Sequence, residues 1–193
     1  MSKAEVKHEV KSGHFHAVRF YEDSNSLCRI VSRFVAEGLA LGQPALIIAT
    51  QPHIDSIVAN LTSATIDVDG LKKKGDLLLL DAHQTLATFM VNGQPDADFF
   101  KASASSALTQ LARGRVGTIR AYGEMVDVLW KDGMSAAAIK LEMLWNRLAN
   151  THDFSLLCGY AMGNFYKDAT IDDVCRHHTH VVSDDGRQVS LGQ

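Results

Sequence analysis

The chain has 193 residues, 46% of them apolar and 21% charged, with a net charge of −3. That length and composition suit a single globular domain with a full-sized core. The charge excludes the basic footprint of a nucleic-acid binder and a polybasic membrane patch, no apolar run reaches the roughly 20 residues that span a bilayer, and the polar start MSKAEVKHEVKSGH has no signal core, so a cytoplasmic location is expected.

Residues 1–13 read as a mobile leader and 184–193 as a mobile tail, flanking one domain over 14–183. The first strand is HAVRFY. YEDSNSL follows at the strand-to-helix turn, and then Leu27, Ile30, Val31, Phe34 and Val35 recur at helical spacing up to Gly38 and Gly42. ALIIAT, 45–50, is continuously apolar, as a strand buried on both faces should be. Pro52 opens a helix whose inner face is Ile54, Ile57, Val58 and Leu61. GDLLLLDAH, 75–83, is a third strand, followed by helices over about 84–91 and 96–112. VGTIRAY, 116–122, is a fourth strand, and GEMVDVLWKDG a short helix ended by Gly133. Ser135 caps a helix with Leu141, Leu144, Trp145 and Leu148 on one face. FSLLCGY, 154–160, is a fifth strand. TIDDVCRHH, opened by Thr170 with Asp173 three residues on, is a last short helix. Alternation of this kind predicts a three-layer α/β fold, a mostly parallel sheet covered by helices on both faces.

In such sheets ligands sit beyond the carboxyl ends of the strands. A phosphate loop at the first turn would need glycines to wrap the anion and a lysine to hold it. YEDSNSL has neither. It carries Glu22 and Asp23, and Asp23 with Ser24 or Ser26 can cap the helix itself.

FVAEGLALGQPALIIATQP resembles the second strand and preceding helix of the KaiC/RecA-like ATPases. Three departures argue against hydrolysis: the missing phosphate loop, Gln51–Pro52 where an acidic pair would follow the strand, and Arg120 near the place of a magnesium-binding aspartate. From His16 to about Val182 the chain resembles the MEDS domain, the methanogen/methylotroph DcmR-type sensory domain. The resemblance rests on HAVRFY, EGLALGQPALIIAT, GDLLLLDA, IRAYGEM, LEMLWNRL, FSLLCGY and VCRHHTHVV in that order. It implies a non-catalytic sensory domain of KaiC-like fold that binds a small organic ligand, such as a hydrocarbon derivative. Such a domain signals through a partner, for instance a histidine kinase or regulator, or through a homodimer. The alternatives are a pseudo-ATPase that holds a nucleotide or anion without hydrolysis, and a pure interaction module. No cofactor is specified.

The expected ligand-binding residues are Tyr21, His83, Arg120, Tyr122, Glu124 and Tyr160 at the strand ends, with His16 at the entrance of the first strand. Arg120, inside an apolar strand, needs a partner, for which Glu124 or Glu142 is available; the rival reading makes it the ligand's anchor. Cys175 and His178 form a C-x-x-H pair that Cys158 or His16 could complete as a metal site, but a second clear pair is missing and no metal is expected. Cys158, near the end of a core strand, reads as a small apolar core residue, and Trp130 and Trp145 as core or interface anchors.

Overall fold

Runs of Val, Ile, Leu and aromatic residues set the strands, and caps and glycines set the helix limits. In the computed structural model, which describes residues 14–115, 117–165 and 171–192, these yield nine strands and eight α-helices among the described residues. They follow as β1 (His16–Tyr21), α1 (Ser24–Ala40), β2 (Ala45–Ala49), α2 (Gln51–Ser63), α3 (Val68–Lys74), β3 (Leu77–Asp81) and α4 (Ala82–Ala87). Next come β4 (Met90–Val91), β5 (Gln94–Pro95), α5 (Ala97–Ala112), β6 (Ile119–Gly123), α6 (Met125–Lys131) and α7 (Ser135–Leu148). The chain closes with β7 (Phe154–Ala161), a 3-10 turn (Met162–Asn164), α8 (Ile171–Cys175), β8 (His180–Val182) and β9 (Gln188–Ser190).

Seven strands form one sheet in the order β3-β2-β6-β7-β1-β8-β9, parallel except for β9. Alternation along each strand sends side chains to two cores. Ala45, Ile47, Tyr122 and Leu157 pack toward α1, α2 and α3. Leu46, Ile48, Ala121, Leu156, Cys158 and Tyr160 pack toward α4 to α8. Trp130 and Trp145 are both buried in the second core. No helix among the described residues is long and apolar enough to cross a membrane.

Several elements differ from the sequence expectation. The helix expected at 84–91 is α4, starting at Ala82 because Asp81 caps it by accepting from Gln84 N. Its expected end is instead the β4–β5 hairpin, whose Asn92–Gly93 turn takes positive φ at both residues. Helix α3 was not expected; Asp67 caps its start and Gly75, at φ 74°, ends it. The strand expected from Val116 begins at Ile119, and Val116 lies outside the described residues. Ser135 begins α7 but makes no side-chain cap. Residues 188–190, expected in a mobile tail, pair antiparallel with β8, and Asp184 accepts a hydrogen bond from the buried Arg19. The expected leader, 1–13, and the Thr170 cap lie outside the described residues.

Candidate functional site

The turn YEDSNSL closes on itself. Asp23 accepts from Asn25 N at 3.2 Å and Ser26 N at 2.8 Å, so a carboxylate already occupies the start of α1. The carboxyl ends of β1, β2, β6 and β7 meet beside it, and two buried carboxylates fill the space between them. Glu124, directly after β6, accepts from Thr50 N at 2.6 Å, from the Tyr122 hydroxyl at 2.8 Å and pairs with His53 Nδ1 at 2.7 Å. Asp127, in the first turn of α6, accepts from the Tyr21 hydroxyl at 3.0 Å and from Ala161 N and Asn164 Nδ2, both at 2.8 Å. His53 Nε2 lies 3.1 Å from Ser24 Oγ, which carries the network out to solvent.

Burial and charge set the protonation of this cluster. Burial would raise the Glu124 pKa, but His53 and the Thr50 amide outweigh it, and the carboxyl is held below its ordinary value. The hydrogen bond to Glu124 raises the His53 pKa. Burial raises that of Asp127, although three donors act against it. Tyr21 and Tyr122 are pushed up, first by burial and then by the neighbouring carboxylates, so both hydroxyls keep their protons and serve as donors.

A second buried cluster lies on the other face of the sheet. His16 from β1, Cys158 from β7, Glu142 from α7 and His178 after α8 place one donor atom each within 4.8 Å of one another. The Tyr160 hydroxyl donates to Glu142 Oε1 at 2.7 Å. Burial pushes the His178 pKa down to about 3, which keeps its ring neutral. Burial also raises the Cys158 thiol well above its usual value, and Glu142 adds to the shift.

The expected ligand residues therefore divide. Tyr21, Tyr122 and Glu124 do meet at the carboxyl edge, where each is already partnered within the chain. Tyr160 and His16 belong to the second cluster. His83 is exposed at the start of α4. Arg120 is a correction: it pairs in register with Ala45 and Ser155, at the amino end of β6. There its Nε donates to Gln43 Oε1 at 2.8 Å and its guanidinium lies 4.8 Å from the Phe34 ring centre, so it meets neither Glu124 nor Glu142. Cys175 is half-buried and stands apart from the metal-compatible cluster, to which His178 alone of the C-x-x-H pair contributes.

Sequence reasoning missed His53 and Asp127. Their signals were a histidine in the first turn after a buried strand and an aspartate three residues beyond Glu124. Both sit on helices beginning at the carboxyl edge, where a side chain turns back toward the strand ends.

A profile of the MEDS family, described as the methanogen/methylotroph, DcmR sensory domain, matches residues 15–179. Among solved structures, the crystal structure of a KaiC-like protein from the hyperthermophilic archaeon Pyrococcus horikoshii is similar, with a TM-score of 0.58 at 12% identity. The match covers 91% of this chain and 76% of that one, and shows a shared fold. No curated protein matches the sequence.

Proposed function

This chain belongs to the MEDS family of sensory domains, and we propose that it senses a small organic molecule without hydrolysing a nucleotide. The observation that carries the proposal is the content of the carboxyl edge. Where a nucleotide-binding sheet presents a glycine-rich loop and a lysine, this chain presents Glu124 and Asp127, buried and supplied with in-chain donors, next to a helix start capped by Asp23. A triphosphate would meet these carboxylates there, and the nearby His53 is already paired with Glu124.

The same edge suits a small ligand with one polar end. His53 and Ser24 bring the buried network to the surface, and Tyr21 packs edge-on to the His53 ring at 6.1 Å between centres. A ligand that replaces Ser24 or His53 as a hydrogen-bond partner changes the donors held by Glu124. Glu124 is fixed to Thr50 at the head of α2, so that change reaches the α1–α2 surface. The signal then passes from this surface to a protein partner, such as a histidine kinase or regulator, or to a second copy of the chain in the cytoplasm.

Calorimetry with MgATP and MgADP, beside a thermal-shift series of short alcohols, amines, amides and carboxylates, tests the reading. It expects no nucleotide binding in the micromolar range and a saturable response to one organic class that His53→Gln removes. Micromolar nucleotide binding or steady ATP turnover would overturn it.

A further inference from the structure

The buried cluster on the α7 face has a contradiction in its hydrogen bonds. Asn146 Nδ2 donates to the His177 carbonyl at 3.0 Å, which turns its Oδ1 toward His16. His16 Nδ1 lies 2.8 Å from that oxygen and must carry the proton. His178 Nδ1 lies 2.8 Å from the Val174 carbonyl and must carry its proton as well. In a neutral ring this leaves Nε2 as a lone pair in both histidines. Both lone pairs face the Glu142 carboxylate, at 3.2 Å from His16 and 3.4 Å from His178. His16 Nε2 has only the weak Cys158 thiol donor, 3.4 Å away, to set against the carboxylate, and in this fully buried site His178 Nε2 has no hydrogen-bond partner among the described residues. Such a group is costly to bury unless a positive charge lies between the acceptors.

We propose that His16 Nε2, His178 Nε2, Cys158 Sγ and a Glu142 oxygen together bind a divalent transition metal ion, zinc being the best match. The separations fit. Tetrahedral coordination at bond lengths of roughly 2.0–2.3 Å sets neighbouring donors about 3.3–3.7 Å apart. Here His16 Nε2, Cys158 Sγ and Glu142 Oε2 lie 3.2, 3.4 and 3.6 Å from one another, while His178 Nε2 is 3.4 Å from the other carboxylate oxygen, and all four residues' donor atoms fall within 4.8 Å.

The surroundings also have the form of a metal site's outer shell. Asn146 and the Val174 carbonyl fix the two imidazole tautomers, and Tyr160 holds the second carboxylate oxygen. The charge closes too. Binding displaces the Cys158 proton to solvent, and thiolate plus carboxylate then balance the dication in a site without water-facing surface. Four protein ligands leave no open position, so the ion is structural. It joins β1, β7 and α7 to the segment after α8.

The test uses the full chain produced in zinc-supplemented and, separately, cobalt-supplemented medium, because a closed site loads as the protein folds. The expected result is about one equivalent of metal per chain and, with cobalt, tetrahedral visible bands plus a thiolate-to-cobalt charge-transfer band. Cys158→Ser should abolish that band, and Cys175→Ser should leave it intact. Tyr160→Phe should keep the band and weaken affinity about 10–100-fold in chelator competition. Folded protein purified without stoichiometric metal from both media would overturn the proposal. A charge-transfer band that survives Cys158→Ser and vanishes in Cys175→Ser would do so equally.

Discussion

Gly159→Ala tests the packing that holds the carboxyl-edge cluster. A Cβ at position 159 would lie 2.7 Å from the Tyr122 hydroxyl oxygen, and 3.4 Å from both Tyr122 Cε2 and Leu27 Cδ1. The ring is fully buried and its hydroxyl donates to Glu124 at 2.8 Å, so the oxygen cannot yield without losing that bond. A hydrogen bond to a charged group contributes about 1.5–3 kcal/mol. Forcing a methyl group into a packed core costs about 1–3 kcal/mol more. The variant should therefore lose about 3–5 kcal/mol of unfolding free energy in urea denaturation. Tyr122→Phe alone should lose about 1.5–3 kcal/mol. In the double variant there is no hydroxyl to clash, and only the 3.4 Å contacts remain. Its loss should fall short of the sum of the single losses by about 2 kcal/mol. Additivity within about 0.5 kcal/mol would refute the reasoning, because it would mean that position 159 and the hydroxyl do not meet.

Three further outcomes follow from the same structure. Gly38 lies inside α1 against the aliphatic part of Arg120, so Gly38→Ala should destabilise by about 1–3 kcal/mol in thermal or urea unfolding, despite alanine's better helix propensity. Arg120→Lys should also destabilise, since a lysine loses the guanidinium contact over the Phe34 ring and the fixed geometry of the bond to Gln43, while ligand response per folded molecule stays unchanged. The His53 pKa is raised in the folded state by Glu124, in a cluster that also contains Tyr21, Tyr122 and Asp127. Its contribution is complete below the unfolded value of about 6.5 and is lost as pH rises through the raised folded value. Urea midpoints should therefore fall between pH 6 and 9 in the parent, and the part of that fall due to His53 should be absent in His53→Gln.

Strand-helix alternation made the sheet legible, because ALIIAT and FSLLCGY have the length and apolar character of buried strands and the helix of Leu27 to Val35 shows its inner face at regular spacing. The same patterns could not give strand order or edge. Arg120 lies at the amino end because β6 starts at Ile119, later than the apolar run suggests, and a shift of a few residues moves a side chain across the sheet. Short elements carry little periodic signal, which hid β8 and β9, while the Asn92–Gly93 turn was a local cue for the β4–β5 hairpin. The sites were harder still. Glu124 and His53 are 71 positions apart, and His16 and Cys158 are 142 apart, so only the folded sheet brings them together. The absence of a phosphate loop, by contrast, could be read directly from YEDSNSL, since it depends on residue type alone.

The most direct measurement is a heteronuclear NMR titration of the full chain with MgATP and, separately, with the small organic series. The account predicts saturable shifts at Tyr21, Ser24, His53 and Glu124 with one organic class and no shifts at millimolar MgATP, the organic response being lost in His53→Gln. Shifts confined to these residues on adding MgATP, with phosphate release following, would contradict it.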